Sequence, residues 1–131
     1  MKLRSDFVTN SSSSCYVVAF KNMSANLWAE LQLPERGEYM EPFRVIASVS
    51  SFRKWFIEYY EDTPEWYINN VNYQGRFYMD VEGPVEVYNK GVEYLRQGYR
   101  LFVKEINYGS EVAERIFNEQ DNNLIIITRE A

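Results

Sequence analysis

Residues 99–128 have the sequence YRLFVKEINYGSEVAERIFNEQDNNLIIIT, the most regular stretch of the chain. Residues 99–106 are rich in β-branched and aromatic side chains and predict a strand. Ser110 is a good N-cap for a helix whose apolar residues recur at helical spacing. The residues predicted to face inward on this helix are Val112, Ala113, Ile116 and Phe117. After a turn at 121–123, residues 124–128 predict a second strand, so the stretch fits a right-handed parallel crossover; its short connections leave an antiparallel arrangement open.

The rest of the chain predicts a similar alternation of strands and helices. The further predicted strands are 15–21, 43–47 and 73–81. Helices are predicted over 25–32, 64–71 and 84–97. Another helix is predicted to be capped by Ser50 or Ser51 and to stop at Asp62-Thr63-Pro64. This order predicts an α/β or α+β fold: a single domain over 1–131, with a mixed β-sheet of about five strands and helices packed on one or both faces. Residues 1–14 are expected to form a Ser-rich segment before the first strand.

The composition is that of a folded, acidic domain. The chain has 131 residues, 46% of them hydrophobic and 25% charged, which argues against disorder or a coiled coil. It has 14 Lys and Arg against 19 Asp and Glu, for a net charge of −5, so nucleic-acid binding is not expected. It contains no His, which excludes Ser-His and Cys-His nucleophile pairs and the usual zinc and haem ligands.

One cysteine and the absence of long apolar stretches indicate a cytoplasmic protein. Cys15 has no second cysteine for a disulfide, and its place in an apolar strand predicts a buried thiol. No apolar stretch approaches the roughly 18–20 residues that span a bilayer, and residues 1–14 lack the apolar core of a secretory signal. We therefore expect no membrane association.

The main functional signal is an acidic and aromatic surface in the middle of the chain. Residues 34–66 hold seven acidic and four basic residues, and 55–78 hold nine aromatics, more than a small core easily accommodates. Tyr60, Tyr67, Tyr73 and Tyr78 are therefore expected to reach the surface, where such side chains favour protein contacts. The predicted partner-binding residues are Glu58, Tyr60, Glu61, Asp62, Glu65, Trp66, Tyr67, Tyr73 and Tyr78.

Two other sites are weaker alternatives. Consecutive hydroxyls at Ser11, Ser12, Ser13 and Ser14 could cradle a small anionic ligand such as a nucleotide. Phosphate loops use glycine to let the backbone approach the anion, however, and there is no glycine between Met1 and Leu33. Asp80, Glu82 and Glu86 could hold Mg²⁺ or Mn²⁺ for a metal-dependent hydrolase, with Lys90 and Lys104 as auxiliary cations. Neither pattern is specific, so no cofactor, no metal and no catalytic residue is predicted.

The start of the chain carries a distinctive motif, KLRSDFVTNSSSSCYV over residues 2–17. It resembles the R-x-x-F-V-[ST]-N-S-S-S-S-S-F opening of assorted small bacterial and bacteriophage proteins, with Cys15-Tyr16 in place of the usual final Ser-Phe. The resemblance implies a bacterial host cell or its phage. It covers 16 of the 131 residues and carries no catalytic residue across.

Together these features predict a non-enzymatic protein-binding accessory protein of a bacterium or its phage. Its partner is expected to be a host protein bound through the acidic, aromatic surface, and an inhibitor of a host defence system such as an anti-CRISPR protein is one concrete form. The alternatives are a small-molecule or nucleotide-binding domain and a metal-dependent hydrolase. The sequence leaves homo-oligomerisation open.

Overall fold

The computed structural model describes residues 13–34, 42–70, 82–107 and 109–130. The elements are β1 (Ser13–Phe20), α1 (Ala25–Leu31), β2 (Arg44–Ile46), α2 (Val49–Tyr60), α3 (Pro64–Asn69), α4 (Glu82–Arg96), β3 (Arg100–Asn107), α5 (Glu111–Asn118) and β4 (Leu124–Glu130). They form an α+β arrangement, which confirms the predicted fold class. The strand predicted over 73–81 lies outside the described residues.

The sheet has four strands in the order β2-β3-β1-β4, and within the described residues every neighbouring pair is antiparallel rather than mixed. β1 pairs with β3 from Ser13 opposite Asn107 to Phe20 opposite Arg100. On its other side β1 pairs with β4, with a bulge between Val17 and Val18. Since β3 and β4 are both antiparallel to β1, they are parallel to each other. The predicted crossover through α5 therefore joins parallel strands, but β1 lies between them.

Side-chain caps begin the helices where the sequence predicts them, with one exception. Ser24, Thr63 and Ser110 each accept a hydrogen bond from the backbone N–H three residues on, and Pro64 follows its cap directly. The prediction that Ser50 or Ser51 caps α2 is wrong. Ser48 is the residue with extended backbone, and its hydroxyl accepts the N–H of Ser51, which is already helical.

One face of the sheet is covered by α2, α3 and α4, and we call it the three-helix face. Here the helices contribute the rings, and the strands contribute small or aliphatic side chains. The buried helical aromatics are Phe52, Trp55, Phe56, Tyr59, Tyr60 and Tyr67. The strand residues beneath them are Cys15, Val17, Ala19, Ile46, Leu101 and Val103. Cys15 is 3% exposed, which confirms its predicted burial.

The other face is covered by α1 and α5, and we call it the two-helix face. Its buried rings come from the strands, as Tyr16, Phe20 and Phe102, while the buried helical side chains are Leu27, Leu31 and Ile116. The α1 ring of Trp28 packs against Phe20 but is 37% exposed. Phe117 was predicted to face inward but is 40% exposed, with the guanidinium of Arg129 lying 4.7 Å over its ring. Eight-residue α5 has room for few inward positions, and Ile116 fills the buried one.

Candidate functional site

The predicted partner-binding residues centre on the turn between α2 and α3, here called the α2–α3 corner (residues 58–68). Glu61 caps the C-terminus of α2: its backbone is left-handed at φ 63°, and its N–H donates to the Ile57 carbonyl at 2.9 Å. The Asp62 carboxylate accepts the Thr63 N–H at 2.7 Å, and the Thr63 hydroxyl accepts the Trp66 N–H at 3.1 Å. These hydrogen bonds fix the direction in which α3 leaves α2.

Two of the four carboxylates at the corner are held in ion pairs. Glu58 on α2 is 3.1 Å from Arg44 of β2, and Glu65 on α3 is 2.5 Å from Arg53 of α2. The hydrogen bond from Arg53 lowers the pKa of Glu65 and raises the pKa of Arg53. The two pairs neutralise two of the four predicted acidic positions, because the sequence showed these arginines only as part of the net charge and not as partners of particular acids.

Glu61 and Asp62 form no ion pair within the residues that the structure describes. Glu61 is exposed and Asp62 is half-buried. The negative charge of the corner is therefore concentrated at these two adjacent positions rather than spread over the four acids.

The prediction that Tyr60 and Tyr67 reach the surface is wrong. Tyr60 is 4% exposed and Tyr67 is fully buried. The Tyr67 hydroxyl donates to the Tyr60 backbone carbonyl at 2.8 Å, and the Phe56 ring lies against both tyrosine rings. α3 folds back onto α2 and encloses these rings, so they stiffen the corner from beneath. Trp66 is only partly buried.

An exposed isoleucine on α3 completes the corner. Ile68 is 42% exposed and lies one turn after Glu65, so the two side chains share the outer face of α3. Ile68 was not among the partner-binding residues predicted from the sequence, although its i, i+3 spacing from Glu65 is visible there. Arg44 and Arg53 were also missed as partners of the acids, because each pairing joins different elements of the fold.

The described half of the serine run is strand and not the loop that the ligand alternative requires. Ser13 and Ser14 belong to β1, and the Ser14 side chain is 3% exposed. The prediction that residues 1–14 precede the first strand is therefore wrong at its end, because the strand begins two residues earlier than expected. Ser11 and Ser12 lie outside the described residues, as do Tyr73, Tyr78 and Asp80.

The carboxylates of the metal alternative are not assembled in the described part of the chain. Glu82 is the first residue of α4, and Glu86 is paired with Lys90 at 2.7 Å. This pairing raises the pKa of Lys90, so the predicted auxiliary cation instead neutralises one of the predicted ligands. Within the described ranges, no three His, Cys, Asp or Glu side chains are grouped closely enough to hold a metal ion.

Two charged side chains are buried in β3. Lys104 faces the two-helix face, where its ammonium donates to the Leu33 carbonyl at 2.8 Å, and Glu105 lies opposite Cys15. Each is 3% exposed. Glu105 was missed by the sequence analysis, although two charged residues in a strand covered on both faces are a recognisable signal, since buried charges need partners.

A groove runs between the start of α2 and the outer side of α4. It has a volume of about 500 Å³ and is lined by Val49, Tyr88, Asn89, Val92, Glu93, Arg96 and Gln97. This size is within the range of small-molecule sites, and the lining combines apolar side chains with amide, phenol and guanidinium groups. None of these lining residues belongs to the predicted ligand site.

The chain matches no protein-family model, no curated protein and no solved structure. None of the helices in the described ranges has the length and apolar character needed to cross a membrane.

Proposed function

We propose that this chain is a non-enzymatic protein-binding protein of a bacterium or its phage, and that the α2–α3 corner contacts the partner. The observation that carries this proposal is an exposed apolar side chain, Ile68, beside acidic groups on a rigid support. Protein interfaces commonly combine an apolar anchor with a polar rim, and rigidity reduces the entropy lost on binding.

Charge supports a basic partner surface. Glu61 and Asp62 carry the unneutralised negative charge of the corner, and the whole chain has a net charge of −5. An acidic patch accelerates encounter with a basic surface and disfavours nucleic acid. Inhibition of a host defence system, as by an anti-CRISPR protein, is the concrete form that we propose, on the bacterial or phage origin that the opening motif suggests.

The test begins with a pull-down of the tagged chain from a bacterial lysate, with mass spectrometry of the eluted proteins. The partner is then titrated against wild type, the double variant Glu61→Lys/Asp62→Lys, and Ile68→Ala. We expect each variant to weaken binding by about ten-fold, with the double variant acting mainly on the association rate. Glu58 and Glu65 are left intact, because reversing them would also break ion pairs within the fold.

Glu114→Lys is the matched control. Glu114 is an exposed acid on α5, which covers the two-helix face, away from the corner. Its reversal should leave partner binding within about two-fold of wild type. If the control weakens binding as much as the corner variants do, or if none of them weakens it, the corner is not the binding surface.

A second candidate function, small-molecule or nucleotide binding, is favoured by the groove beside α4. Its guanidinium and amide groups suit an anionic ligand. A thermal-shift screen tests it, since a ligand at 100 times its Kd stabilises the fold by about 2.7 kcal/mol. A shift that Arg96→Ala abolishes would support the groove, whereas a shift that persists in this variant would place the ligand elsewhere.

A further inference from the structure

The groove beside α4 contains two side chains of opposite charge that do not pair with each other. Glu93 and Arg96 both line the groove, and both are exposed. Neither forms an ion pair within the described residues. They are three residues apart on α4, a spacing that places Cβ atoms about 5–6 Å apart on one side of a helix. The groove therefore offers one negative and one positive group side by side.

Arg96 differs from the other arginines in the described ranges. Three of these form ion pairs with glutamates: Arg44, Arg53 and Arg115. The guanidinium groups of the other two lie over aromatic rings, 4.9 Å from the centroid for Arg100 and 4.7 Å for Arg129. Arg96 has neither kind of partner in this part of the chain. Its guanidinium is available to a ligand, and guanidinium groups bind carboxylates through two parallel hydrogen bonds.

The carboxylate of Glu93 is held in place without being neutralised. Nε2 of Gln97 donates to Oε1 of Glu93 at 3.3 Å, and this amide carries no charge. Lys90, one turn earlier on α4, is paired with Glu86 at 2.7 Å. A carboxylate accepts several hydrogen bonds, so Glu93 can also accept from the ammonium group of a ligand.

Apolar side chains line the groove next to this charged pair. Tyr88, Val92 and Arg96 form one row along α4, each four residues after the last. Val49 of α2 lines the same groove. The Tyr88 ring stacks on Phe52 with the two centroids 5.5 Å apart, which fixes its position. A ligand whose charged end meets the two charged groups can therefore lay an apolar side chain along this row.

We propose that the groove binds a free α-amino acid with a large apolar side chain, with its carboxylate on Arg96 and its ammonium on Glu93. Such a molecule carries both charges on one carbon atom, which matches two opposite charges one helical turn apart. A ligand with only negative charges would be attracted by Arg96 but repelled by Glu93. The volume of about 500 Å³ has room for an aromatic amino acid.

This inference rests on the small-molecule function proposed for the groove and names the class of its ligand. It does not depend on the partner site proposed at the α2–α3 corner.

Chemical-shift titration of the full chain by NMR tests the proposal with four ligands. L-phenylalanine carries both charges and an apolar side chain, and we expect it to bind with a Kd below about 1 mM. The N-acetyl derivative lacks the ammonium, the methyl ester lacks the carboxylate, and glycine lacks the side chain. Each of the three should bind at least about ten-fold more weakly, because each loses one of the three contacts.

Two variants assign the charged contacts to their residues. Glu93→Gln should weaken the binding of L-phenylalanine by about ten-fold but should not weaken that of the N-acetyl derivative, which has no ammonium to lose a partner. Arg96→Gln should weaken the binding of L-phenylalanine to a similar extent and leave the Kd of the methyl ester within about two-fold.

Glu114→Gln and Arg129→Gln are the matched controls. Both side chains are exposed, Glu114 on α5 and Arg129 over the Phe117 ring of that helix, on the two-helix face. Each control should leave the Kd of L-phenylalanine within about two-fold of wild type. Circular dichroism of every variant separates loss of binding from loss of folding.

Three results would overturn the inference. One is that L-phenylalanine, L-tryptophan, L-leucine and L-methionine all fail to bind at about 10 mM. Another is that binding persists unchanged in Glu93→Gln and Arg96→Gln. The third is that the amino acids do not bind, whereas inorganic phosphate or the N-acetyl derivative binds and Arg96→Gln abolishes that binding. The third result alone would leave the small-molecule function of the groove standing, with an anion as its ligand.

Discussion

On the three-helix face the buried rings come from the helices, whereas on the two-helix face the buried rings come from the strands. The difference arises in β1, whose alternate residues point to opposite faces. Cys15, Val17 and Ala19 face α2, α3 and α4, while Tyr16, Val18 and Phe20 face α1 and α5. Small strand residues thus lie under helices with buried rings, and bulky strand residues lie under helices whose buried side chains are aliphatic.

The comparison shows how one strand serves two different cores. Protein interiors are filled to nearly constant density, so volume missing from one layer must come from the layer packed against it. The three-helix face fills its space with rings on α2 and α3, and Phe52 stacks on both Trp55 and Tyr88 with centroids 5.7 and 5.5 Å away. The aromatic richness of the chain is therefore explained largely by packing.

The largest expected effect compares one buried ring from each face. Phe56→Ala on α2 and Phe102→Ala on β3 should each lower the free energy of unfolding by about 3–5 kcal/mol, because both side chains are fully buried. Denaturant unfolding measures the two losses. If Phe56→Ala lowers the free energy of unfolding by less than about 1 kcal/mol while Phe102→Ala lowers it by about 3–5 kcal/mol, the rings on α2 and α3 are loosely packed. The two faces would then not be packed equally well.

A smaller effect is expected where α4 approaches α2. A Cβ at Gly91 would overlap the ring of Phe52, so Gly91→Ala should destabilise the fold by about 1–2 kcal/mol despite the better helix propensity of alanine. Adding Phe52→Leu should recover part of this loss in a double-mutant cycle.

Gly98→Ala is the matched control for that cycle. Gly98 has a φ of +93° and open space around it, so alanine there is strained by the backbone and not by a neighbour. Phe52→Leu should not rescue this variant. Equal rescue of both glycine variants would show that the close approach at Gly91 is not the cause of its cost.

The smallest effect concerns pH and the ion pair that joins α3 to α2. Arg53 lowers the pKa of Glu65, so the stabilisation from Glu65 is fully present above the carboxyl's unfolded pKa and is lost as the pH falls through its lower folded pKa. Melting temperatures measured between pH 7 and pH 3 should fall less steeply for Glu65→Gln than for wild type. Both side chains are well exposed, so the difference is small.

On the two-helix face, Arg115 of α5 pairs with Glu30 of α1. The shifted pKa of Arg115 should not change the stability between pH 7 and pH 3. Glu30 raises the pKa of Arg115, whose stabilisation would be lost only above its already high unfolded pKa. An acid-side slope that is unchanged in Glu65→Gln would show that the Arg53 contact contributes nothing measurable to folding.

Local patterns predicted the elements well because their causes are local. The ring spacing of α2, the caps Ser24, Thr63 and Ser110, and the β-branched run of β4 each depend on neighbouring residues. The insertion of β1 between β3 and β4 depends on contacts between distant parts of the chain, and no local pattern specifies it.

The candidate site was predicted less well for the same reason. Glu58, Glu61, Asp62 and Glu65 were identified as acidic positions, but the ion pairs to Arg44 and Arg53 arise only after β2 and α3 pack on α2. The burial of Tyr60 and Tyr67 likewise follows from the fold-back of α3, which composition does not reveal. Side-chain type could be read from the sequence, whereas exposure required the tertiary structure.

The central position of β1 also has a consequence for synthesis. Its two neighbours in the sheet, β3 and β4, follow it by more than eighty and about one hundred residues, so a ribosome releases β1 long before either is made. Until then the apolar side chains on both faces of β1 lack the neighbouring strands that help to bury them. During synthesis β1 is thus a site of aggregation or chaperone binding, and the described sheet is complete only after β4 has emerged.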